Sequence, residues 1–131
     1  MPLYTINTYD KLEIVTKHKI AEDVTKIHCS ITGAPKEFVH VVFADKLELK
    51  DRLKGYILAS VRAGRTEEIN QQLKNGILNS LTESLRCSAS EITIHLLEVE
   101  ASSSIEFGEI LPEPGEEESW FQKLRQENKI R

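Results

Sequence analysis

Cysteine is scarce in this chain: Cys29 and Cys87 are the only two, and they lie far apart. That is too few for a disulfide framework or a thiolate metal site, and no Cys-x-x-Cys occurs, so both read as reduced core or helix-end thiols. No apolar run approaches the ~18 residues of a membrane span, and the N-terminus lacks a basic-then-apolar secretory signal. Positive charge is not in excess. The net charge of −4 gives no general attraction to nucleic acid or an anionic membrane. Neither a Gly-rich phosphate loop nor metal-ligand spacing is found, so no cofactor and no metal are implied. The expectation is a soluble cytoplasmic protein with neither nucleic-acid nor membrane partner.

What the chain does have is enough apolar material, 40% of 131 residues, for one domain spanning 1–131. A chain of this size buries roughly two-thirds of its unfolded surface. Leu3 to Tyr9 alternates polar and apolar residues as a strand does. From about Glu13, the residues Ile20, Val24, Ile27 and Ile31 mark one face of an amphipathic helix stopped by Gly33 and Pro35. Phe38 to Phe43 is β-branched and aromatic, a buried strand, and the βαβ order implies a parallel pair with a right-handed crossover.

After a charged connection over 45–55 the pattern repeats. Tyr56 to Val61 reads as a strand. Thr66 caps a helix with Glu67 and Glu68 in its first turn and Ile69, Leu73, Ile77, Leu81 and Leu85 every four residues. Ile92 to Val99 is the last long strand. Two βαβ units, 1–45 and 56–100, predict an α/β (α+β) sandwich: one four-stranded mixed sheet backed by two helices, then a C-terminal extension over 101–131. Such helices cover one sheet face only. The other, carrying Val39, Val41 and Phe43 or their alternates, needs a cover, and self-association is the simplest. In the extension, Trp120, Phe121 and Leu124 form a small apolar face that should dock on the chain's own core or on a neighbouring subunit.

Two places carry chemistry. Removal of Met1 would leave Pro2 as a secondary amine at the start of a strand. A free α-amino group titrates near ~8, and burial lowers that value toward the range where an acid–base catalyst works best. Arg62-Ala63-Gly64-Arg65 lies where the third strand gives way to the second helix, and two guanidinium groups beside helix N–H donors suit a carboxylate or phosphate. His18 and His40 read as structural or exposed and receive no role.

With these residues in view, the chain resembles the tautomerase superfamily, and within it the cis-3-chloroacrylic acid dehalogenase family. The resemblance rests on Met1-Pro2, on His28 followed by Thr32-Gly33, and on Arg62-x-x-Arg65. It extends through the tail Glu106-Phe107-Gly108-Glu109-Ile110-Leu111-Pro112-Glu113-Pro114-Gly115, then Glu117 and Trp120-Phe121. It implies a homotrimer acting on a small carboxylate, by keto–enol tautomerisation, by hydration or dehalogenation of an unsaturated acid, or by both. Carried over by resemblance, Pro2 is the acid or base and Glu106 activates water, while Arg62, Arg65 and His28 hold the carboxylate. The family's tyrosine on the last long strand is replaced by His95, and Tyr4 compensates only if its side chain faces the pocket. A rival reading follows from Met1: if it is retained, Pro2 is an amide and the protein is a non-catalytic or self-inhibited binding protein on the same fold.

Overall fold

The computed structural model describes residues 1–130. Strand β1 (Leu3–Thr8) buries Tyr4, Ile6 and Thr8 on one face, as its alternation requires. Helix α1 (Ile14–Thr32) turns Ile20, Val24 and His28 inward at four-residue steps and ends at Gly33. Gly33 adopts φ 76°, a left-handed value that glycine takes without strain, and its N–H closes on the Cys29 carbonyl. Strand β2 is shorter than the sequence suggests, His40–Ala44. Its expected first residue, Phe38, instead belongs to a 3-10 turn over Lys36–Phe38 and is fully buried. The second unit repeats the plan with β3 (Gly55–Arg62), α2 (Glu67–Leu85) and β4 (Ile92–Val99). Thr66 caps α2 as expected, its Oγ1 accepting from the Ile69 N–H at 3.2 Å.

The strands are ordered β2-β1-β3-β4. Each βαβ unit contributes a parallel pair, and the units join through antiparallel β1 and β3, giving a mixed sheet with pseudo-twofold symmetry. Both helices lie on one face and pack on each other, closely at Gly76, where an added Cβ would stand 3.0 Å from Ile27. The core between sheet and helices holds Tyr4, Ile6, Ile20, Val24, Ile57, Ala59, Val61, Ile77 and Leu81. Val39, Val41 and Phe43 pack against this core. Their alternates therefore face away: Leu3, Val42, Tyr56 and Leu97 are exposed large apolar side chains on the uncovered face.

The extension docks on its own chain. A short hairpin, β5 (Ile105–Glu106) and β6 (Glu109–Ile110), turns through Phe107 and Gly108, both at positive φ as a tight hairpin turn demands. Helix α3 (Glu117–Gln126) then sets Phe121 against Phe38, Ala101 and Leu111, with Met1 and Trp120 alongside. Trp120 donates its indole N–H to the Ile110 carbonyl at 3.0 Å. No helix among the described residues is long and apolar enough to cross a membrane.

Candidate active site

Pro2 is buried at the start of β1, and its carbonyl accepts the His40 N–H at 3.0 Å. This bond is the first rung of the parallel β1–β2 ladder and sets Leu3 opposite His40. Met1 precedes it, and its terminal ammonium is bound to Glu106 Oε1. Burial lowers the pKa of that amine and outweighs the opposing pull of Glu106, while the Arg62 charge lowers it further. The perturbed amine is thus Met1's, one residue ahead of Pro2, whose nitrogen is here an ordinary peptide nitrogen.

On the helix side of the amine lies a second group of side chains. Tyr4 points inward from β1, not toward the open face, and its hydroxyl meets His28 Nδ1 at 2.7 Å. Burial pushes the Tyr4 pKa well up, so the phenol stays protonated. It has no other hydrogen-bond partner among the described residues, so the O–H donates to Nδ1 and the imidazole proton sits on Nε2. Burial, with the charges of Arg65, Arg62 and the terminal amine, lowers the His28 pKa to about 3. His28 is therefore a neutral donor, and its Nε2 is buried without a partner. Arg65 is half-buried and makes one long contact, Nη1 to the Arg62 carbonyl at 3.4 Å. Burial and the neighbouring Arg62 lower its pKa.

The two arginines, a pair in the sequence, differ in environment. Arg62 ends β3 and is fully buried, with Nη2 paired to Glu117 of α3 and Nη1 donating to the Pro112 carbonyl. Its guanidinium also stacks 5.6 Å from the Phe38 ring centroid. Two of its nitrogens are therefore committed to the tail, and only Nε is without a partner. Glu117 is itself fixed by the Gly115 N–H at 2.9 Å.

Glu106 reaches the amine because the β5–β6 hairpin folds the tail back over the start of β1. Its Oε1 also lies 3.3 Å from His40 Nε2, and its Oε2 is buried without a partner. Met1, Leu3, His40, Ser104, Ile105 and Glu106 line a cavity of about 260 Å³. Sequence reasoning assigned His40 nothing; the parallel register that sets it beside Pro2 is what brings it to Glu106. Glu117 was missed as well, because its partner is distant in sequence. His95 is not brought to this site. It lies exposed on the uncovered face opposite Leu58, about 13 Å along β4 from Val99, the residue paired with Arg62.

The structure aligns over 98% of this chain and 96% of the other with a crystal structure of a member of the cis-3-chloroacrylic acid dehalogenase family, at 27% identity and TM-score 0.85. The fold is that of the tautomerase superfamily. Other tautomerase-fold matches include a fused 4-OT solved as an asymmetric trimer, at 17% identity, 83% and 95% coverage and TM-score 0.74. Another is the Pt0534 protein, inactivated by 2-oxo-3-pentynoate, at 22% identity, 83% and 94% coverage and TM-score 0.73. No protein-family model matches the chain, and no curated protein matches it. The sandwich expected from the two βαβ repeats, and the resemblance to this superfamily, are both found.

Proposed function

We propose that this chain is a tautomerase-superfamily enzyme in which removal of Met1 frees Pro2 for acid–base catalysis on a small carboxylate. The observation that carries this reading is that three of the five buried polar side-chain atoms without partners among the described residues, His28 Nε2, Arg62 Nε and Glu106 Oε2, belong to residues assigned to the site. Buried polar groups are seldom left unpaired. Two donors with a guanidinium charge suit a substrate carboxylate, and a bare carboxylate oxygen suits water. Arg65, with its single long contact, supplies a further cation for the substrate.

With the enol of a 2-oxo acid, neutral Pro2 takes the hydroxyl proton as the C–O bond becomes a carbonyl. It returns a proton to the carbon that receives the alkene electron pair. With an unsaturated acid, Glu106 takes a proton as water oxygen bonds to carbon three, the alkene pair moves to carbon two, and protonated Pro2 delivers a proton there. A product carrying halogen and hydroxyl on one carbon then loses hydrogen halide to give a carbonyl. The guanidinium groups stabilise the negative charge that develops on the substrate in either case. The inactivation of one structural relative by a 2-oxo acid fits this substrate class.

A second reading has its own support. If Met1 is retained, its ammonium neutralises Glu106 and its side chain packs on the tail, so the protein is self-inhibited or non-catalytic. Intact mass decides whether Met1 is present. Assays with phenylenolpyruvate, propiolate analogues and haloacrylates then read activity. Pro2→Ala, checked for removal of Met1, is expected to lose at least ~10²-fold in kcat/KM, the usual scale for a positioned acid or base. Near-normal turnover by that variant removes Pro2 from the mechanism.

A further inference from the structure

We infer that His40 is a positioning residue: it holds Glu106 by Oε1 so that Oε2 is the atom that takes the proton from water. This rests on the function proposed above and adds to it a residue and an atom. The two carboxylate oxygens of Glu106 differ in surroundings. Oε1 faces the Met1 ammonium and His40 Nε2, whereas Oε2 is buried and unpartnered. When Met1 is removed its ammonium leaves Oε1, and His40 Nε2, 3.3 Å away, is the side-chain nitrogen that stays beside it.

His40 suits the task because its backbone is fixed while its ring is reachable. Its N–H is tied to the Pro2 carbonyl, so the strand register that places Pro2 also places the imidazole. The side chain is 56% exposed and Glu106 only 20%, so the imidazole lies between the carboxylate and solvent. The charged groups facing it are Glu106 from β5, Glu37 from the 3-10 turn before β2, and the terminal amine. A ring with its proton on Nε2 presents an N–H to Glu106. Held by one oxygen, the carboxylate cannot swing away from the cavity, and the lone pairs of Oε2 remain free for water. No bond to substrate is made by His40; the proton passes from water to Glu106 as the water oxygen bonds to carbon three.

The test compares His40→Leu, which removes the donor, with His40→Gln, whose amide N–H can still reach Oε1. Both are made in the protein with its N-terminal proline exposed. For hydration of an unsaturated acid, His40→Leu is expected to lose about tenfold or more in kcat with KM within about twofold, and His40→Gln to recover most of the loss. Hydration by His40→Leu within about twofold of the parent, or a His40→Gln variant no better than His40→Leu, overturns the inference. A parent that tautomerises but hydrates no unsaturated acid also overturns it, while leaving Pro2 catalysis intact. A parent with exposed Pro2 and neither activity sinks the functional reading itself, and this inference with it.

Discussion

A histidine in the last turns of a helix normally gains from the dipole as a cation. His28 does not, because the four-residue step from Ile20 and Val24 carries it to the buried face, beside two guanidinium groups. The folded protein holds its pKa at about 3, below the ordinary 6.5 of the unfolded chain. Below 6.5 the unfolded state therefore binds the extra proton, so His28 makes stability fall as pH drops from about 6.5 toward 3. Replacing it by the uncharged His28→Gln should flatten that part of the profile, measured as denaturant-unfolding free energy against pH. An unchanged slope between these pH values would show that the imidazole is not held neutral. The inward stripe Ile20, Val24 was legible in the sequence. Its continuation was read through Ile27 and Ile31, whereas the structure carries it to His28; the bond to Tyr4 was not legible, because that contact depends on which way a strand residue points.

At the scale of elements, the tail is held to the sheet by a charge as well as by aromatic packing. Trp120, Phe121 and Leu124 were readable as a docking face, but the sequence left open whether that face meets its own core or another subunit. Phe38 decides it, abandoning β2 to lie 4.9 Å from the Phe121 ring centroid. The ion pair of Arg62 with Glu117 could not be read at all, since the partners stand on different elements far apart in the chain. Glu117→Ala should leave Arg62 buried and uncompensated, at a cost of about 3–5 kcal/mol in unfolding free energy. Chemical denaturation measures this. A loss under about 1 kcal/mol would mean that α3 adds little to the fold and that Arg62 is readily solvated once freed.

The whole molecule leaves one face of the sheet bare. Leu3, Val42, Tyr56 and Leu97 lie exposed, one on each of the four strands. We expect a homotrimer joined through this face, with His95 meeting a neighbouring copy there. Sedimentation velocity should report a trimer at micromolar concentration, and Val42→Lys should shift it toward smaller species. A stable monomer in the parent would contradict the assignment. The order of elements and their two repeats were plain in the sequence, because hydrophobic period survives in a single chain. Which alternate of each strand faced outward was not, since sheet residues reverse faces with a one-residue change of register.

The antiparallel junction of β1 and β3 has a further consequence. Because the two halves run in opposite directions, the start of β3 lies at the far end of the sheet from the start of β1. There Lys54 and Gly55 occupy the place that Pro2 and Leu3 hold in the first half, beside a cavity of about 700 Å³ lined by Tyr9, Glu48, Leu49, Arg52, Leu53, Lys54 and Glu91. It is the larger hollow, yet the nitrogen at its strand start is an internal amide, whose lone pair is delocalised into the carbonyl and takes up no proton near neutral pH. A scaffold repeated in space is thus single in chemistry: a polypeptide has one amino terminus, and only one of the two matching ends can own it.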